Sequence, residues 1–209
     1  MLENRTVMKR VFPELFQHYG VMPVSAYPDK LYKMLVSLSY SRSKQPEIVI
    51  LTPGIYNSAY YEHSYLAKQM GIDLVQGDDL VVLKDKYVYK KTIEGLIRVD
   101  VIYRRIDDDF LDPSVGNKDS VLGVEGLIDS WRNKKVSIIN APGCGIADDK
   151  AVYAYVPEMI RYYLKEKPLL NNLETLLMTK KENRRLVEEN FKEFVIKPVA
   201  ESGGSGLVI

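Results

Sequence analysis

The sequence has few of the side chains that build metal centres and disulfide frameworks. It contains one cysteine, Cys144, and two histidines, His18 and His63, among 209 residues. One cysteine cannot form an internal disulfide, and the histidines lie far apart in the sequence with no cysteine near either. We therefore expect a cytoplasmic protein without a zinc site, and we assign no catalytic side chain.

An excess of charge of either sign is also absent. Lysine and arginine total 29, and aspartate and glutamate total 28, which gives a net charge of +1. A balanced surface provides no broad field for nucleic acid or an anionic membrane, and no apolar run has the length of a membrane span. We expect neither as a partner. Apolar residues make up 46% of the chain, which is typical of a folded globular protein.

Apolar residues at helical spacing dominate the first part of the chain. They recur through residues 7–19 and again at Leu31, Met34, Leu35 and Leu38. A polar loop follows at residues 41–46. We predict an N-terminal helical segment over residues 1–46.

Residues 47–147 have the pattern of alternating strands and helices. The apolar run 48–51 predicts a buried strand, and a helix capped by Asn57 or Ser58 extends to Met70, where Gly71 ends it. Residues 72–75 complete a βαβ unit. Further strands are predicted at 80–83, 87–90, 96–103 and 136–139, with a helix at 121–132. We predict a Rossmann-like α/β domain with a mostly parallel sheet.

The last region, residues 148–209, changes pattern again. Asp148 or Asp149 caps a predicted helix that runs to Leu164 and is interrupted by Pro157. A second helix is predicted at 180–191, then a strand at 194–197, a loop at 198–206 and a strand start at 207–209. An unmatched strand would leave an exposed edge. We therefore expect the chain to be a fragment of a longer protein.

The strongest local motif is KPVAESGGSG at residues 197–206. A strand delivers Lys197, and the backbone N–H groups of a glycine-rich loop suit a polyphosphate. A Walker A loop would place lysine after the glycines and a helix after the lysine, so this is a different motif. A flexible hairpin tip is the open alternative. The candidate nucleotide contacts here are Lys197, Ser202, Gly203, Gly204 and Gly206.

This motif resembles the ATP-grasp fold, in which such a loop covers the phosphates and the lysine reaches the nucleotide. Asp149-Lys150, after the Asn-containing loop 140–145, resembles the position of a second phosphate-contacting lysine. A solvated surface charge is the alternative role for Lys150. The stretches 51–63, 100–110 and 147–157 extend the resemblance to circularly permuted ATP-grasp proteins akin to glutathionylspermidine synthetase.

The resemblance implies an α/β fold in which a Rossmann-like pre-ATP-grasp domain precedes the partial start of an ATP-grasp domain. It also implies an ATP-dependent carboxylate–amine ligase that forms an amide through an acyl phosphate. The cofactors would be ATP and Mg²⁺, with the magnesium ligands outside this chain. The substrate would be a small amino-acid, peptide or polyamine-like molecule.

Two rival functions stay open. The first is a non-catalytic nucleotide-binding module with an ATP-grasp fold. The second is a dinucleotide-dependent oxidoreductase, which is weakened because the first strand–helix junction contains only Gly54 in place of the G-x-G-x-x-G fingerprint.

Substrate contacts are expected at two strand ends, because open α/β sheets bind ligands at their carboxyl edge. Arg104 or Arg105 suits a carboxylate, and Asp107, Asp108 or Asp109 suits an amine. Only one of the two arginines can face the crevice from a regular strand, and a structural arginine–aspartate network is the alternative. Asn57, Ser58 and Glu62 are the candidates at the first strand–helix junction, where a plain capping role is the alternative.

Overall fold

The computed structural model describes residues 2–41, 43–200 and 206–208. The α-helices are α1 (Leu2–Val11), α2 (Pro13–His18), α3 (Tyr27–Ser37), α4 (Tyr60–Met70), α5 (Asp108–Leu111), α6 (Leu127–Arg132), α7 (Lys150–Met159) and α8 (Lys181–Glu189). The strands are β1 (Ile48–Leu51), β2 (Asp73–Val75), β3 (Leu80–Val82), β4 (Val88–Thr92), β5 (Gly95–Val99), β6 (Val101–Arg104) and β7 (Ser137–Ile139). No helix in these ranges is long and apolar enough to cross a membrane.

The parallel sheet confirms the predicted α/β class. Its four strands lie in the order β2-β1-β6-β7 and all pairs are parallel. Every residue of β1 and β6 is buried, as expected when helices or loops cover both faces of a parallel sheet. Strand β1 pairs with β2 along one edge and with β6 along the other. The strand order therefore reverses beside β1, where ligand sites of open α/β sheets form.

A second, smaller sheet accompanies the parallel one. Strands β3, β4 and β5 form a separate antiparallel meander. The predicted strand 96–103 is divided between the two sheets at Asp100, whose carboxylate accepts hydrogen bonds from Glu47 N (3.0 Å) and Arg98 Nη2 (2.7 Å). These two bonds hold the corner where the chain leaves one sheet and enters the other.

Side-chain alternation gives each face of the parallel sheet its own core. Val49, Leu51 and Ile102 belong to one cluster, which also contains residues of α6 and the antiparallel sheet. Ile50 and Tyr103 belong to the other cluster, which α3 and α4 cover. Successive strand residues point to opposite faces, so neighbouring residues at a strand end enter different surroundings.

The helix boundaries differ from the predictions where local chemistry intervenes. The helix predicted at 7–19 is two helices, because Pro13 cannot donate to the preceding turn and begins α2. The helix predicted from 121 begins at Leu127, after Gly126 in the left-handed region (φ 81°). Gly71 ends α4 with φ 67°, as predicted.

The chain divides into two compact units, residues 1–142 and 143–209. In the second unit Asp149 caps α7, and a π-helical turn over Ile160–Leu164 follows Pro157. Of the predicted strands 194–197 and 207–209, the described residues show one antiparallel bridge, between Ile196 and Val208. The predicted division at residues 46/47 and 147/148 stays a prediction.

Candidate functional site

A pocket of about 610 Å³ lies in the first unit at the carboxyl end of β6. Helices α3 and α4 wall the pocket on the sheet face that they cover, and residues of α1 also line it. The ionisable and aromatic lining residues used below are Glu3, Tyr27, Lys30, Tyr61, Glu62, Tyr65, Tyr103 and Arg105. Two of them, Glu62 and Arg105, are predicted substrate contacts.

Arg105 extends the end of β6 and turns its side chain towards this pocket. Its backbone N–H donates to Leu51 O at 2.7 Å, which continues the pairing with β1. The side chain is 31% exposed, and its Nη2 lies 3.8 Å from Glu62 Oε2. Within residues 2–41, 43–200 and 206–208 the guanidinium makes this long ion pair and no hydrogen bond. Its donors are therefore available to an anionic ligand.

Arg104 points to the opposite face and is buried. Its Nε donates to Asn140 O (2.7 Å), Nη1 to Ile106 O (2.6 Å) and Nη2 to Ala141 O (3.1 Å). Nη2 also lies 2.6 Å from Asp108 Oδ1. These contacts favour the structural alternative for Arg104: it ties the loop after β7 to the end of β6.

Three other predicted substrate residues are exposed and do not line the pocket. Asp107 precedes α5, and its side chain makes no cap hydrogen bond there. Asn57 Oδ1 accepts from Ala59 N at 2.9 Å, and Ser58 is the next residue. Neither Asn57 nor Ser58 caps α4, because that helix begins at Tyr60. The predicted capping role is therefore wrong, and substrate contact by these three residues stays a prediction.

The buried residues His63, on α4, and Thr52, directly after β1, form a pair that the sequence did not indicate. His63 Nδ1 and Thr52 Oγ1 are 2.8 Å apart, and Gly54 N donates to the same hydroxyl at 3.3 Å. Burial and the positive charge of Arg105 lower the pKa of His63 to about 4, against an opposing effect of Glu62. A neutral imidazole thus fixes the turn after β1. The sequence carried only a lone histidine, which is a weak signal.

The pocket residues of α1 and α3 were also missed. Glu3, Tyr27 and Lys30 belong to no sequence motif, and neither does Tyr65 on α4. Which helices cover a given sheet face is a long-range property, so local spacing does not reveal these neighbours.

In the second unit, Lys150 meets the segment that carries Lys197. The backbone N of Lys150 donates to Val199 O at 3.2 Å, and Lys150 Nζ donates to the same oxygen at 3.3 Å. Lys197 is two residues before Val199, and two residues span at most about 7 Å. The start of α7 and the segment before the glycine loop are therefore neighbours, which supports the convergence of the two lysines.

Gly206 approaches Pro198 closely. Its φ is +65°, and a Cβ at this position would lie 2.6 Å from Pro198 Cγ. Only glycine combines this backbone conformation with so close an approach. The predicted contacts Ser202, Gly203 and Gly204 lie outside the described residues.

The first backbone N–H groups of α7 are already bonded within the chain. Asp149 Oδ1 accepts hydrogen bonds from Ala151 N (2.8 Å) and Val152 N (3.0 Å). A phosphate at this point would therefore have to be bound by side chains, and Lys150 and Lys197 are the predicted candidates. Across the described ranges no group of three His, Cys, Asp or Glu residues could hold a metal ion.

Comparison with known proteins identifies relatives over the full length of this chain. The sequence model described as circularly permuted ATP-grasp type 2 matches residues 1–209. A protein of Synechocystis sp. is 53% identical over 209 residues, which are 100% of this chain and 43% of the relative. A protein of Frankia casuarinae that carries the provisional name glutamate–cysteine ligase 2-2 is 39% identical over 209 residues, 100% of this chain and 24% of the relative.

The chain therefore belongs to the circularly permuted ATP-grasp type 2 family, as the resemblance predicted. It spans less than half the length of these relatives. The more specific likeness to glutathionylspermidine synthetase stays a prediction.

Proposed function

We propose that this chain belongs to an ATP-dependent carboxylate–amine ligase, to which it contributes phosphate-binding lysines and a substrate pocket. The observation that carries the proposal is the bond from Lys150 Nζ to Val199 O, because it brings the start of α7 beside the segment that contains Lys197. The names of the Frankia relatives, which are those of glutamate–cysteine ligases, agree with this class of reaction.

The proposed reaction has two steps. A carboxylate oxygen of one substrate attacks the γ-phosphorus of ATP, and ADP leaves. The amine nitrogen of the second substrate then attacks the acyl carbon, phosphate leaves, and the nitrogen loses a proton to give the amide. Positioning and neutralisation of phosphate charge supply most of the catalysis in such phosphoryl transfers.

Lysine suits the charge-neutralising role. An ammonium is a compact point charge on a flexible stem, so it can follow a phosphate oxygen as negative charge moves during transfer. Magnesium, which the family implies, would help to neutralise the phosphate charge when bound. The described residues contain no group of three His, Cys, Asp or Glu side chains that could hold it.

The test is the ATP affinity of Lys197→Ala and Lys150→Ala variants of the whole protein, measured by calorimetric titration. Losing one charge-assisted contact to phosphate should weaken ATP binding by at least ~10-fold. Lys192→Ala is the matched control, because Lys192 is an exposed lysine in the same unit. Its ATP affinity should stay unchanged.

Two outcomes separate the proposal from its alternatives. Unchanged ATP affinity in both Lys197→Ala and Lys150→Ala would contradict the nucleotide assignment. ATP binding by the wild-type protein without ADP release, in the presence of both carboxylates and amines, would favour the non-catalytic nucleotide-binding module.

A further inference from the structure

We infer that the pocket at the end of β6 binds a zwitterionic α-amino acid with an aromatic or other apolar side chain. This inference rests on the proposed function, in which such an amino acid is one of the two substrates. It deepens that proposal by naming a substrate class and by adding Tyr27, Lys30, Tyr65 and Glu3 to the residues that recognise it.

The size of the pocket suits a small molecule. Its volume of about 610 Å³ falls within the range of ordinary ligand sites, which are mainly apolar with a few placed polar groups. Its floor is the buried Tyr103, and its walls come from α3 and α4. It also lies beside the reversal of strand order, where open α/β sheets bind ligands.

The charges in the pocket are balanced, and this selects the class of ligand. Lys30 and Arg105 are positive, while Glu3 and Glu62 are negative. A polyphosphate would meet two carboxylates, and a polyamine would meet two cations, so each would be opposed by like charges. A zwitterion matches both signs. Its carboxylate fits the unbonded guanidinium of Arg105, and its ammonium fits Glu62.

Aromatic rings provide the apolar surface. The rings of Tyr61 and Tyr65 are stacked with centroids 6.1 Å apart and planes at 29°. Burial and the neighbouring Tyr103 raise the pKa of Tyr27, although Arg105 opposes this, so the Tyr27 hydroxyl stays neutral. The pKa of Tyr65 is also raised, by loss of solvent and by a hydrogen bond with Glu3. Neutral tyrosine rings favour an apolar or aromatic side chain.

The experiment measures binding of three related probes to the whole protein by calorimetric titration without nucleotide. L-Phenylalanine carries both charges, 3-phenylpropionate lacks the amine and phenethylamine lacks the carboxylate. Losing one charge-assisted hydrogen bond should cost at least ~10-fold in affinity. L-Phenylalanine is therefore expected to bind at least ~10-fold more tightly than either analogue. Equal binding of all three, or binding of none, would overturn the inference.

Two variants connect the binding to this pocket. Arg105→Met should weaken L-phenylalanine binding by at least ~10-fold, and Lys30→Met provides a second variant if Arg105→Met fails to fold. Lys33→Met is the matched control, because Lys33 is exposed on α3, the helix that carries Lys30, and does not line the pocket. Undiminished binding in whichever of Arg105→Met and Lys30→Met folds would place the ligand elsewhere and contradict the inference.

The ATP titrations keep this inference separate from the proposed function. Normal ATP affinity together with ligase turnover, but no amino-acid binding in this pocket, would sink the inference and leave the proposed function standing. Amino-acid binding that depends on Arg105, in a protein whose Lys150→Ala and Lys197→Ala variants bind ATP normally, would contradict the nucleotide assignment of the proposed function. It would leave the assignment of this pocket standing.

Discussion

Arg104 and Arg105 are adjacent in sequence and lie on opposite faces of the sheet in different surroundings. Arg104 is buried among three backbone carbonyls and Asp108. Arg105 is 31% exposed and lies 3.8 Å from Glu62 in a pocket. The strand alternation that separates the two side chains thus separates the structural role of Arg104 from the recognition role that we propose for Arg105.

Hydrogen-bond saturation, and not residue type, indicates which of the two arginines can bind a ligand. A guanidinium has five N–H donors, and those of Arg104 meet carbonyl and carboxylate oxygens of its own chain. The donors of Arg105 make no hydrogen bond within the described parts of the chain. A ligand that contacts Arg105 therefore breaks no strong contact.

The largest effect that would test this comparison is on stability. Arg104→Met should lower the free energy of unfolding by about 3 kcal/mol, because it leaves buried carbonyls and the Asp108 carboxylate without their partner. Arg105→Met is the adjacent control and should change it by less than about 0.5 kcal/mol. Urea unfolding followed by circular dichroism measures both. Equal destabilisation by the two substitutions would contradict the division of roles.

Much of the fold was predictable from local signals. The apolar run of β1, the left-handed Gly71 and the cap Asp149 each mark an element by local chemistry. The split at Asp100 was not predictable in the same way, because it depends on Glu47, 53 residues away. Local patterns predict elements, whereas the assignment of strands to sheets depends on contacts that close over long separations.

The second test concerns His63, whose pKa is lowered by burial and by the charge of Arg105. Its folded pKa is about 4 and its ordinary value is 6.5, so the unfolded chain binds a proton first as pH falls. The stability from neutral His63 is fully present above pH 6.5 and is lost progressively towards pH 4. The resulting decrease in the free energy of unfolding is on the order of 2 kcal/mol. Urea unfolding at pH 7.5 and pH 4.5 measures this loss.

His63→Asn should remove this part of the pH dependence, because asparagine keeps a polar group near Thr52 and does not titrate. His18→Asn is the control, since His18 is exposed and is the other histidine of the chain. The same pH dependence in His63→Asn and wild type would show that His63 is not the titrating group. Loss of the dependence in His18→Asn would also contradict the assignment.

The site was predictable only in part, for the same reason as the sheets. The motif around Lys197 and the arginines at a strand end were visible in the sequence, because strand ends and glycine loops are local features. The sequence did not show that Tyr27 and Lys30 line the same pocket as Arg105, because more than 60 residues separate α3 from β6. The difference between Arg104 and Arg105 likewise required the loop after β7.

The substitution Glu62→Gln has the smallest expected effect on stability, and it distinguishes ligand binding from a structural role. Glu62→Gln removes a partly exposed ion pair at 3.8 Å, so the free energy of unfolding should change by less than about 0.5 kcal/mol. Binding should change more, and in opposite directions for two probes. L-Phenylalanine should bind more weakly because its ammonium loses a carboxylate, whereas 3-phenylpropionate should bind more tightly because Glu62 no longer competes for Arg105. Parallel changes for both probes in calorimetric titration would show that Glu62 does not discriminate between them.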